Sequence, residues 1–331
     1  MNKIILPFTT NVEAKAYQYS AHALGAIKAS LKNSHLWAAG KFLSVYFESN
    51  NQLHMYDADF WSINEGITTQ ECMVINPSAN DSFRKDLLEF IKNKIRGGSY
   101  IVGMYDEYYI PKKKAYQEYH FLHDYLVYGF DDTKNVLKSA GYLSNSRYEA
   151  YEIPYEAYID SITLCDCDEI PLYYRYVDNQ YVPKLAITDI CNKFECFLSS
   201  KDDLPLQQGG TERIYGISGL NTFQRYIAEY SQEELDLRNS RSYTEYFQYM
   251  YSRLQTLSST GYLCDDTLIR EYYNRIVKPS LTIHNMCIKY NVCGNKDILL
   301  RAGEIIQTIN HQEVNYITLL LDKLEFSKKS Y

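Results

Sequence analysis

The sequence predicts an α+β fold in which an antiparallel sheet follows leading helices and precedes a helical bundle. Three observations predict it. Near the N-terminus, apolar residues recur at three- and four-residue steps, the spacing of an amphipathic helix. From Tyr100 to Ile153, short apolar runs succeed one another across turn residues with no helix between them, unlike the strand–helix alternation of a parallel sheet. Beyond Thr211 the pattern becomes helical in long segments.

Taken in order, Val12 to Lys32 reads as a helix, because Ala14, Tyr17, Ala21, Leu24, Ile27 and Leu31 share one face. Leu36 to Phe47 is apolar enough for a second packed helix. Asp57 to Val74 is mixed, with short strands expected around Phe60-Trp61. Asp81 then caps a helix whose stripe is Phe83, Leu87, Leu88, Ile91 and Ile95, and Gly97-Gly98 ends it. Tyr100 to Tyr105 is a buried strand that delivers Asp106 at its end. Residues 107–120, with Pro111 and Lys112-Lys113-Lys114, read as a flap.

Tyr125 to Phe130 and Val136 to Leu143 form a hairpin, Tyr148 to Ile153 a third strand, and Pro154 the first position of a short helix. Leu172 to Val177 and Tyr181 to Leu185 suggest a second hairpin, followed by an apolar stretch through Phe197. The polar stretch Ser199 to Thr211, with Pro205 and Gly209-Gly210, is the expected linker. Helical segments follow near 220–231, 239–258, 265–290 and 296–325, the third kinked at Pro279. The expected divisions are 1–165, a β-containing connector at 166–210, and a helical domain at 211–331.

Composition removes several classes of function. A net charge of −7 over 331 residues argues against nucleic acid, which selects a basic face. No stretch approaches the roughly 18 to 20 uncharged apolar residues that span a bilayer. The opening MNKIILPFTTN turns polar too soon for a signal peptide, so the expected location is the cytoplasm. The 34 tyrosines suit half-buried cleft walls, and they also fit the codon bias of an AT-rich genome. Eight cysteines read as reduced, buried thiols, and the spacing of Cys165-Asp166-Cys167 with Cys191 and Cys196 does not match a zinc ribbon. Gly97-Gly98 and Gly209-Gly210 lack the lysine or spacing of a phosphate loop. His284 and His311 lack the Glu three residues earlier that a di-metal bundle needs. Neither a metal nor an organic cofactor is expected.

What remains is acid–base chemistry at His123. It lies in His120-Phe121-Leu122-His123-Asp124-Tyr125-Leu126-Val127-Tyr128-Gly129-Phe130-Asp131-Asp132, where a rigid strand can hold an imidazole as a general base. Asp106 either approaches that ring or lines the pocket, or it caps its own loop. Ser20, on the first helix, is a candidate nucleophile, and Cys72 a weaker one. Tyr17, Tyr108, Tyr109, His120 and Asp124 are the expected substrate contacts.

The His120–Asp132 block, together with Asp106-Glu107-Tyr108-Tyr109-Ile110-Pro111, resembles the butirosin-biosynthesis-H family, acyltransferases of bacterial natural-product clusters with a papain-like fold. The resemblance implies a papain-like domain over 1–165. It also implies transfer of an acyl group from a carrier-protein thioester to an amine through an acyl-enzyme. The partners so implied are an acyl or peptidyl carrier protein with its phosphopantetheine arm, as in nonribosomal peptide assembly, and a small amine acceptor. Lys112-Lys113-Lys114 is the one concentrated basic run that an acidic carrier would meet. The family places its reactive cysteine at the start of the first long helix, and Thr10 to His22 contains no thiol. Two readings follow. The chain either acts with His123 through another nucleophile or by direct aminolysis, or it is an accessory binding protein without chemistry.

Overall fold

The computed structural model describes residues 2–41, 43–56, 68–77, 80–201 and 212–328. Along the chain the elements are β1 (Lys3–Ile5), α1 (Gln18–Ser30), α2 (Ser34–Ala39), β2 (Ser44–Glu48), β3 (Leu53–Tyr56), β4 (Thr68–Ile75), α3 (Asp81–Arg96), β5 (Tyr100–Asp106), β6 (Leu122–Asp131), β7 (Val136–Tyr142) and β8 (Tyr148–Pro154). Then come α4 (Tyr155–Thr163), β9 (Ile170–Val177), α5 (Ile187–Ser199), β10 (Arg213–Tyr215), α6 (Gly216–Glu229), α7 (Leu237–Ser259), α8 (Asp266–Tyr272), α9 (Lys278–Cys293) and α10 (Lys296–Lys328). The class is mixed α and β, with an antiparallel sheet and a helical C-terminal region. No described helix is long and apolar enough to cross a membrane.

The chain divides into two compact units, Met1–Lys32 with Asp59–Val182, and Asn33–Ala58 with Pro183–Tyr331. This cut differs from the expected segments. Strand β9, expected in a connector, pairs with both β4 and β5 and so lies inside the first unit's sheet.

In the first unit seven strands form one antiparallel sheet, ordered β4-β9-β5-β6-β7-β8, with β1 beside the far end of β6. Helices α3 and α4 bury Leu87, Ile91, Ile95, Tyr158, Ile159 and Ile162 in its main apolar core. The α3 stripe is as expected, but the cap is Asn80, not Asp81: its side-chain oxygen accepts from the Ser82 amide at 2.8 Å. Helix α1 begins at Gln18, later than Val12. The segment before it is neither helix nor strand and bends at Glu13, Ala16 and Tyr17, with Val12, Ala14 and Ala16 buried on alternate positions. This period of two overlaps the helical stripe that follows it. Residues Tyr181 to Leu185 form no strand, and Val182 is 72% exposed beside Pro183.

In the second unit the expected helix Leu36 to Phe47 stops at Ala39. Its latter half is β2, all five of whose residues are buried between β3 and β10. Ser-Val-Tyr-Phe is strand-forming chemistry, and Gly40 closes the helix before it. The apolar run through Phe197 is α5, burying Ile187, Ile190, Cys191, Phe194 and Phe197 at helical spacing. The kink expected at Pro279 takes a definite form. Proline has no N–H to offer the Arg275 carbonyl, and Tyr273–Val277 is a π-helical turn joining α8 to α9. Helix α10 packs closely on α6 because Gly303 has no side chain: a Cβ there would lie 2.8 Å from that of Ala228.

Within this helical core, Tyr272 donates to Glu313 Oε2 at 2.8 Å and Tyr243 to Asn310 Oδ1 at 2.8 Å. Burial pushes the Glu313 carboxyl up to about 8, despite its bond from Tyr272 and the nearby Arg253. The expected strands around Phe60-Trp61 and most of the expected linker lie outside the described residues.

Candidate active site

His123 sits at the start of β6, opposite Tyr105 in the β5–β6 ladder, while Asp106 pairs with Leu122. Side chains alternate along a strand, so Asp106 and His123 belong to opposite faces. The structure bears this out. Asp106 Oδ2 meets His120 Nδ1 at 2.5 Å, and its Oδ1 accepts the Tyr108 and Phe121 amides, each at 3.0 Å. Asp106 therefore does not orient His123. The carboxylate that does is its neighbour Glu107, whose Oε1 lies 3.1 Å from His123 Nδ1.

Burial pushes the Glu107 carboxyl up. The hydrogen bond from His123 and the Lys113 ammonium outweigh that, and hold it below the ordinary carboxylate value. An ionised Glu107 can only accept, which favours the tautomer with its proton on Nδ1 and with Nε2 as the basic atom. The His123 side chain is 33% exposed, stacks on Phe121 at 5.2 Å, and has Nε2 3.4 Å from Asp124 Oδ1.

Helix α1 delivers Gln18 and His22, one turn apart, to the same place. Gln18 Nε2 donates to the Asp124 carbonyl at 2.5 Å, and its Oε1 accepts from the Tyr142 amide at 2.9 Å. The β6–β7 ladder stops at Leu126 opposite Ala140, and Asp124 with Tyr142 would be the next matched pair on that side. Gln18 thus inserts its amide where the strands part and satisfies both backbone groups. Gly141 permits this approach, since a Cβ there would stand 2.8 Å from Gln18 Oε1 and 3.1 Å from Lys113 Nζ.

His22 is fully buried, with Nδ1 2.8 Å from the Tyr148 hydroxyl and Nε2 3.5 Å from Asp124 Oδ2. Burial first, then the charge of Lys113, drives its pKa well below that of an ordinary histidine, so it is a neutral ring. Asp124 moves the other way: burial raises its carboxyl, against the pull of His123 and the hydrogen bond from Gln18.

Other expected positions fall elsewhere. Ser20 is buried two residues beyond Gln18, about 200° around the helix, and among the described residues no hydrogen bond joins it to His123. Tyr17 is the residue before α1 and rests against Tyr19 at 5.7 Å. Tyr108 stacks on His120 at 4.4 Å and, with Tyr109, lines an open pocket of about 400 Å³ that Tyr116, Glu156 and Asp160 also border. His120 is 65% exposed there. Cys72 is exposed on β4. Lys113 is not part of a solvated basic patch: only Lys112 and Lys114 of the run are exposed.

The structure thus gathers Gln18, His22, Glu107, Lys113, His123 and Asp124 into one polar cluster beneath a solvent-reachable imidazole. Among the described residues no group of three His, Cys, Asp or Glu side chains is arranged to hold a metal ion. The cluster can accept and return a proton at His123 Nε2, and α1 presents it with an amide in place of a thiol or hydroxyl. Comparison with protein-family models and with curated proteins gives no match for this chain.

Proposed function

We propose that this chain forms an amide, or cleaves a thioester, on a carrier-bound acyl substrate, with His123 as general base and without an acyl-enzyme. The supporting observation is the Glu107–His123 pair, 3.1 Å apart under a part-exposed ring, with Gln18 rather than a nucleophile at the start of α1. In this reading the acceptor amine attacks the thioester carbon and a C–N bond forms. His123 Nε2 takes the proton that the nitrogen sheds. The C–S bond then breaks, and the imidazolium returns that proton to the departing phosphopantetheine thiolate. The donor is an acyl or peptidyl carrier protein of natural-product assembly, the acceptor a small amine, the scaffold papain-like, and the setting the cytoplasm.

A second reading has its own support. Gln18 spends its oxygen and one N–H on β6 and β7 backbone, as a purely structural residue does, which fits an accessory binding protein on the same scaffold. Intact-mass analysis during turnover with an acylated carrier and an amine separates the possibilities. Direct transfer gives product with no covalent adduct on the chain. An adduct on Ser20 or Cys72 would replace direct attack with a covalent route, and neither product nor adduct would favour the binding role.

A further inference from the structure

The lysine run that reads as a flap in sequence hides one residue with a different position. Lys113 has a side chain only 1% exposed, and its ammonium lies 2.9 Å from Glu107 Oε1, the same oxygen that His123 Nδ1 approaches at 3.1 Å. Its Nζ also stands 5.7 Å from the centre of the Tyr105 ring and 5.4 Å from that of Tyr151. A buried ammonium is costly to desolvate, and a lysine on an exposed loop gains nothing from entering the interior unless a charge there holds it.

We infer that Lys113 is a positioning residue for His123: it neutralises Glu107, so the carboxylate orients the imidazole without drawing a proton onto it. The inference rests on the proposed base role of His123 and extends it. Glu107 without a counter-ion would favour the charged imidazolium, and a base already protonated cannot take the proton of an attacking amine. With Lys113 in place the carboxylate's charge is matched, while its geometry still favours the proton on Nδ1.

The other groups around the pair come from every neighbouring element. Asp124 is on β6, His22 and Gln18 on α1, Tyr105 on β5, and Tyr148 and Tyr151 on β8. His22 is neutral, and burial holds the Tyr105 and Tyr148 phenols un-ionised. Asp124 and the Arg175 guanidinium on β9, whose charge bears on His22, are the remaining charged groups, and both are present in every variant compared below.

The test needs no substrate. In ring-labelled protein, with the His123 signal assigned from its loss in His123→Ala, the imidazole is titrated by NMR. In Lys113→Met the midpoint should rise by about one pH unit or more, as expected for an opposite charge left uncompensated within a few ångströms. Lys113→Arg should restore most of the wild-type midpoint. The double change Lys113→Met with Glu107→Gln, which removes both charges together, should restore it even where the single change weakens the fold. An unmoved midpoint in Lys113→Met, or a rise that persists in the double variant, would overturn the inference. Turnover by His123→Ala tests the base role separately, so the two failures are distinguishable.

Discussion

Replacing Glu313 by Gln should stabilise the helical unit in alkaline solution and change little in mild acid. Glu313 is wholly enclosed on α10, accepts from Tyr272, and has a carboxyl pushed up to about 8 from an ordinary 4.5. The sign follows from linkage. Because the folded value is raised, the folded protein holds a proton that the unfolded chain releases, so stability is full below about pH 4.5 and is lost progressively up to about pH 8. At 1.36 kcal/mol per pH unit, the loss amounts to on the order of 5 kcal/mol above that range. A neutral amide keeps an acceptor for Tyr272 and carries no such penalty. Urea unfolding of both proteins near pH 5 and near pH 9, read by amide exchange along α7 and α10, measures the difference directly. A variant that is less stable than the parent near pH 9, or that falls with pH as steeply, would refute the reasoning.

Two further outcomes concern the first unit. Gln18→Cys places a thiol at the start of α1 beside His123, where the helix end and the imidazole favour the thiolate. It should alkylate with iodoacetamide at neutral pH faster than the exposed Cys72, and a slower rate would show that burial at position 18 outweighs the helix end and the imidazole. Gly25→Ala should lower the melting temperature by an amount equivalent to about 1–3 kcal/mol. Its Cβ would lie 2.5 Å from the Thr9 carbonyl and 2.6 Å from the Phe8 ring, and an unchanged transition would show that this contact relaxes freely.

The parts of the fold legible in the sequence were those with one strong period and clear punctuation. Helix α3 has a single stripe and a glycine pair at its end, and β5 to β8 are short, largely buried apolar runs bounded by turn residues. Where periods overlap, reading fails. Val12, Ala14 and Ala16 are buried at alternate positions of an irregular segment yet run into the stripe of α1, and the apolar Leu36–Phe47 stretch holds a helix and a buried strand on either side of Gly40.

The site was half legible. His123 announces itself by its chemistry, but choosing between Asp106 and Glu107 requires the register of β5 against β6, which neighbouring letters do not reveal. Gln18 gives little signal because an amide is not a reactive group, although a Gln and a His four residues apart on an apolar helix are a visible pattern. Lys113 was concealed by its two exposed neighbours.

The most direct measurement is product formation from an acylated carrier and an amine by His123→Ala, beside Ser20→Ala and with folding checked by circular dichroism. Loss of about 10²- to 10⁴-fold at His123, with Ser20→Ala near the parent rate, is what a general base without a serine nucleophile predicts. Unchanged turnover in folded His123→Ala would contradict the central claim.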